Sequence, residues 1–227
     1  MEKALLIGAV RAFLQLMAIG YILKAVFDLD KWYLVTLMLL VMVAVAARTA
    51  AQRQERPIPR SFLIMSGAIT AGLLVAFSTV ILVVLKPGKW YQPQYAVPIG
   101  GMIIGNAMNA CALAVERLAA EIRLRRPQIE AALSLGAPWR LAARGSARAA
   151  IRAALIPGLN AMMVIGIVQL PGMMTGQIIA GAAPLDAIKY QIVVAYMICG
   201  AAAVAAVTAV YLSSRQFFTP AQQLRPD

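Results

Sequence analysis

Polar side chains that interrupt long apolar runs are the residues of this sequence whose types and spacing could do chemistry. Asn106, Asn109 and Glu116 occur at i, i+3 and i+10, which places all three on one face of a helix. Because a polar group is costly inside a bilayer, such a face either lines a path for a solute or joins neighbouring helices through hydrogen bonds. The spacing leaves both interpretations open.

Two more polar residues, Arg11 and Gln15, share a face of the first apolar run. The long Arg11 side chain could reach the membrane surface, pair with a carboxylate or face an anionic substrate. The sequence does not separate these roles. Both residues are therefore candidates for the translocation path.

A helix break follows a later apolar run, which carries Asn160 near its start and Gln169 near its end. Both amides join the candidate path. Pro171 and Gly172 end the run and free backbone carbonyls, which are tolerated at membrane depth only inside protein or along a cavity. This pair is a candidate gate, although an ordinary helix end has the same pattern.

The composition limits the chemistry that the chain can perform by itself. With 0 histidines, imidazole mechanisms and most zinc sites are excluded. The 12 methionines are typical of flexible packing, and we predict no metal site. The sequence has no phosphate-binding G-x-x-x-x-G-K-S/T loop. We therefore predict that the chain is not an enzyme, has no cofactor of its own and depends on a partner for any use of ATP.

The elements that must position these residues are membrane helices. Hydrophobic residues make up 62% of the 227 positions and charged residues 13%, which excludes an ordinary soluble domain. We predict an all-α, polytopic helical bundle that forms one transmembrane domain over 1–227, with a re-entrant or interfacial piece at 173–186. About six spans are predicted, at 4–27, 32–47, 62–85, 96–119, 153–170 and 188–212.

The arginines predict the orientation of the bundle. Four lie in 48–60 and eight in 117–152, whereas the alternate connections carry only a few lysines. Cytoplasmic loops collect Lys and Arg, so both arginine-rich stretches are predicted to face the cytoplasm. The net charge of +12 is accordingly assigned to contact with membrane lipid, with no nucleic acid as partner. The expected location is a bacterial inner membrane.

The basic stretch 117–152 contains a short segment, EAALSLG, that is suited to docking. Residues 128–135 are predicted to form a helix that Gly136 ends. Glu130, Ala131 and Ala132, followed by Gly136, resemble the EAA loop of ABC-transporter permeases, which implies a coupling helix that docks on an ATPase subunit. A solvated amphipathic loop is the alternative.

Five longer strings carry a closer resemblance: GNAMNA, EAALSLGAPW, SARAAIRAALIP, LPGMMTGQI and IKYQIVV. Together they are similar to the FetB-type permease family of bacterial iron-export ABC transporters, from about Leu6 to Phe218. The resemblance implies a homodimer, a separate P-loop ATPase, export of iron or another metal, and a seventh span before Ala4. The ligand chemistry does not itself indicate iron, which prefers carboxylate or imidazole.

The sequence is therefore interpreted as the permease subunit of an ABC transporter. Two other classes stay open. An ion-gradient-driven secondary carrier would need an acidic residue within the membrane. Glu116, at the end of an apolar run, is the only acid that comes near to meeting this need. A membrane scaffold would recruit other proteins through the basic loops.

Overall fold

The computed structural model describes residues 2–54 and 58–225, with side chains from residue 6 onwards. Within these ranges the fold is all-α, and extended pairing is confined to two isolated bridges. Among the described residues, five helices are long and apolar enough to cross a membrane. The predicted polytopic helical membrane fold is thereby confirmed, with five such helices where the sequence predicted about six spans.

The first two helices form an antiparallel hairpin. Helix α1 spans Glu2–Leu29 and α2 spans Trp32–Gln52, and the tight turn between them places Asp30 in the left-handed region with φ of 42°. In the most apolar stretch of α1 no residue is buried within the chain, whereas a third of the residues in the corresponding stretch of α2 are buried. Helix α1 therefore lies at the margin of the bundle.

The centre of the bundle is made by α3, α4 and α9, with α2 and α7 packed around them. Helix α3 spans Ser61–Ser78 and continues as a π-helix over Thr79–Leu85. Helix α4 spans Pro93–Leu124, and α9 spans Pro184–Ser214. Small residues let these long helices approach closely, which is the usual packing in membranes.

The predicted fifth span, 153–170, differs from the structure. Helix α7 spans Arg144–Val164, so it begins earlier and ends earlier than predicted. The chain then turns, because Gly166 takes a φ of 81° and donates its N–H to the Gln169 carbonyl at 2.9 Å. A short helix, α8, follows at Gly172–Ile179. The run is thus a helix followed by a turn that leads into a second helix. The sequence prediction missed the turn because apolar content does not show which glycine takes a left-handed conformation.

The arginine-bearing ends of the helices gather at one end of the bundle, which we call the basic end. Arg60, Arg140 and Arg215 line one shallow pocket there with Trp139 and Tyr211. The basic end also holds two short helices, α5 at Arg126–Ser134 and α6 at Trp139–Ala142. Residues 55–57 of the first arginine-rich loop lie outside the described residues.

Candidate translocation cavity and coupling helix

A cavity of about 360 Å³ lies between α4, α7 and α9, and the turn at 165–171 closes one side of it. Its volume is in the range of small-molecule sites. Most of the lining is apolar. The polar lining side chains are those of Asn106, Asn109, Gln169, Gln191 and Cys199. We call this space the amide cavity.

The two asparagines of the cavity come from successive turns of α4. The Asn106 Nδ2 atom donates to the Met102 carbonyl at 2.9 Å. The Asn109 Oδ1 atom accepts a hydrogen bond from Arg53 Nη1 at 2.8 Å. A guanidinium from the end of α2 therefore stands next to the cavity wall and raises the local positive potential.

Gln191 is the buried polar residue of the cavity. Its side chain is 8% exposed, and its Oε1 atom is buried without a hydrogen-bond partner. Sequence reasoning did not identify Gln191 or Cys199 as candidate path residues. An amide within the apolar run 188–212 was the available signal, because such residues are rare at membrane depth.

Several of the predicted path residues do not line the amide cavity. Arg11 and Gln15 are exposed on the marginal helix α1. Glu116 and Asn160 are exposed on α4 and α7, outside the lining. The structure thus groups Asn106, Asn109 and Gln169, and it leaves the other four apart.

The candidate gate forms the edge of the cavity. Pro171 lines it, whereas Gly172 begins α8 just beyond it. The Pro171 carbonyl accepts hydrogen bonds from the backbone N–H of Thr175 at 3.0 Å and from its hydroxyl at 3.1 Å. Pro171 is therefore the N-cap of α8, and its carbonyl accepts the first hydrogen bonds of that helix.

The coupling-helix residues fall on α5 and the turn after it. Glu130 forms an ion pair with Arg126 at 2.9 Å, and half of its side chain remains exposed. Ala131 is exposed and Ala132 is partly exposed. Gly136 has a φ of 85°, and its N–H donates to the Leu133 carbonyl at 3.0 Å, so α5 ends in a fixed turn.

Helix α5 is held against the bundle by one buried residue. Ile129 is 2% exposed and packs with a cluster that includes Leu118 and Ile122 of α4. Leu135, at the outer end of the segment, is 88% exposed. The helix therefore has an anchored face and an uncovered apolar tip.

The segment after α9 braces the coupling region, a contact that the sequence did not predict. The Phe218 and Trp139 rings lie 5.7 Å apart between centroids. Gln222 Oε1 accepts a hydrogen bond from the Trp139 backbone N–H at 3.2 Å. Residues 220–224 and the α5 turn enclose a groove of about 800 Å³.

This fold defines a polytopic helical membrane protein. The profile of the uncharacterised protein family UPF0014 matches residues 1–218. The chain belongs to this family. No solved structure matches it.

The curated relatives cover nearly the whole chain. A UPF0014 membrane protein of Synechocystis is 41% identical over 94% of this chain and 83% of its own length. The probable iron export permease protein FetB of Escherichia coli is 38% identical over 99% of this chain and 85% of its own. Protein ALUMINUM SENSITIVE 3 of Arabidopsis thaliana is 37% identical over 99% of this chain and 81% of its own length. The resemblance to FetB-type permeases is confirmed.

Proposed function

We propose that the chain is the permease subunit of an ABC transporter that exports iron or another metal with energy from a separate P-loop ATPase. One observation carries this proposal. The coupling segment α5–α6 connects α4 to α7, and the same two helices form walls of the amide cavity. A force on α5 would therefore act directly on both walls.

The shape of the coupling segment supports docking on a rigid partner. A helix of two to three turns whose end is fixed by a glycine turn can move as one body. The exposed carboxylate of Glu130 and the uncovered Leu135 side chain offer a polar and an apolar contact. Closure of the ATPase would move α5, and the α4 and α7 walls would then open the cavity to the other side.

A second copy of the chain completes the proposed transporter. Asn106, Asn109 and Glu116 are exposed on α4 of the single chain. Polar groups at membrane depth face a protein or a water-filled space rather than lipid. A homodimer in a bacterial inner membrane would cover this face and place two amide cavities near the path.

The direction and the cargo are carried over from a relative. The name of the Escherichia coli relative describes a probable iron export permease. Iron or another metal is accordingly proposed as cargo, leaving the cytoplasm. ATP is bound by the ATPase, and the chain itself binds no cofactor and catalyses no reaction in this scheme.

Co-purification tests the proposal. The tagged chain is expressed with candidate P-loop ATPases, solubilised gently and isolated, and an ATPase is expected to be retained. Gly136→Pro should abolish retention, because proline cannot adopt the positive φ that ends α5. Glu130→Lys should weaken it by reversing the exposed charge.

The matched control for Gly136→Pro is Gly181→Pro. Gly181 has a φ of 93° in the turn before α9, so the same backbone strain arises at the other end of the bundle. Retention by the control and loss by Gly136→Pro would support docking at α5. If no ATPase is retained and transport follows an ion gradient, the chain is a secondary carrier. The absence of any transport would favour the scaffold interpretation.

A further inference from the structure

The amide cavity contains one polar group that the fold leaves unused. Gln191 is 8% exposed, and its Oε1 atom has no hydrogen-bond partner. A buried amide oxygen without a partner costs stability, so a group of this kind in a cavity points to a ligand that donates a hydrogen bond to it. The exposed Asn106 side chain stands in the same lining.

The lining chemistry describes the ligand. Side chains around the cavity are amides, sulfur-bearing groups and apolar groups, and none carries a formal charge at neutral pH. Arg53 donates to Asn109 Oδ1 at 2.8 Å and supplies a positive charge next to the wall. A bare divalent or trivalent cation would lose its hydration shell here and meet a like charge.

We infer that the amide cavity is the cargo site and that it takes the metal as a preformed complex with no net positive charge. This inference rests on the proposed transport of a metal and names the form in which that metal is bound. Gln191 and Asn106 hydrogen-bond the polar rim of the complex, and the apolar walls of α7 and α9 accept its organic part. The cavity volume of about 360 Å³ suits a small chelate and greatly exceeds a single ion.

Equilibrium dialysis with one iron radiolabel tests the inference on the purified chain, or on its ATPase complex, in lipid nanodiscs. The label is supplied as Fe²⁺ alone, as neutral tris(maltolato)iron(III) and as anionic ferric citrate. At least one complex is expected to bind saturably, about tenfold or more tighter than Fe²⁺. Tight stoichiometric binding of Fe²⁺ alone, or no saturable binding by either complex, would overturn the inference.

Two glutamine variants assign the binding to the cavity. Gln191→Leu should weaken binding of the complex by about tenfold, since a paired amide is lost from a buried site. Gln94→Leu makes the same chemical change at an exposed position in the first turn of α4, at the end opposite the basic end. It should leave binding unchanged. Unchanged binding in Gln191→Leu would overturn the cavity assignment.

The Arg53→Gln variant separates the two charge classes. Weaker binding of ferric citrate in this variant identifies an anionic complex, and unchanged binding of the maltol complex identifies a neutral one. Either result supports the inference. Gln191 lies in the cavity wall, away from the docking helix α5, so Gln191→Leu is expected to leave retention of an ATPase unchanged. Failure of the binding experiment and failure of the proposed function can therefore be told apart.

Discussion

Glu121 and Arg125 form an ion pair, with Glu121 Oε2 2.9 Å from Arg125 Nε, in the last turn of α4. The Glu121 side chain is 4% exposed, and its other oxygen lies 2.7 Å from Arg117 Nη2. Arg125 is the residue between α4 and α5, and its guanidinium covers Gly145 at the start of α7. One buried carboxylate thus holds the point where the coupling helix meets both walls of the amide cavity.

Loss of the Glu121 charge should loosen this junction. Glu121→Gln removes both ion pairs, and we expect a loss of about 1–3 kcal/mol, because the arginines are partly exposed and the pairs are partly screened. The measurement is the apparent melting temperature in detergent, together with ATP hydrolysis by the complex. Asp186→Asn is the control, since it removes only a surface ion pair with Lys189, in which the Asp186 side chain is 63% exposed. Equal melting of both variants would contradict the role of Glu121.

The contact between α3 and α9 should tolerate no side chain at Gly72. A Cβ atom there would lie 2.8 Å from the Ala201 carbonyl oxygen, so Gly72→Ala forces the helices apart. We expect destabilisation by about 1–3 kcal/mol, which thermal unfolding can measure. Gly67→Ala is the matched control, because nothing lies within 4 Å of its Cβ position. The control should be neutral or slightly stabilising through helix propensity. A similar fall in the melting temperature of both variants would argue against this close approach.

Lys89 and Asp30 join two of the connections at the end opposite the arginines, and their Nζ and Oδ2 atoms lie 2.7 Å apart. The hydrogen bond to Asp30, with its charge, raises the pKa of Lys89 above 10.5. Its contribution to stability is therefore complete below pH 10.5 and is lost as the pH rises through the raised pKa. Lys89→Met should lower the melting temperature at pH 7, and the difference from the native chain should shrink above pH 10.5.

Lys86→Met is the control for the Lys89 experiment, because Lys86 is an exposed lysine of the same loop. Its melting temperature should differ little from that of the native chain over the whole pH range. A pH-independent difference for Lys89→Met would show that the ion pair is not the cause.

Phe218 should hold the coupling segment in place. The ring is 4% exposed and packs against Trp139, so Phe218→Ala removes the brace at a cost of about 3–5 kcal/mol. We expect faster hydrogen exchange in α5 and α6, with a smaller change in α3. Phe62→Ala changes a ring that is 45% exposed and should leave exchange in α5 unaltered. Uniformly faster exchange in Phe218→Ala would indicate general unfolding instead of local release.

Local features of the molecule could be predicted from the sequence. Five of the six predicted spans follow from the lengths of the apolar runs, and the exception is 153–170. Helix α5 follows from a short amphipathic stretch that Gly136 ends. The shared face of Asn106 and Asn109 follows from helical periodicity within α4. These properties depend on residues a few positions apart in the sequence, so each can be predicted from a single helix.

The grouping of the polar residues was decided by the tertiary structure. Gln191 joins Asn106 across the interface between α4 and α9, while Arg11 remains apart on α1. The turn at Gly166 and the contact of Phe218 with Trp139 were likewise visible only in the folded structure. Periodicity gives the face of a helix but not the register between helices. That register is fixed by close contacts between distant segments, such as Gly72 against Ala201.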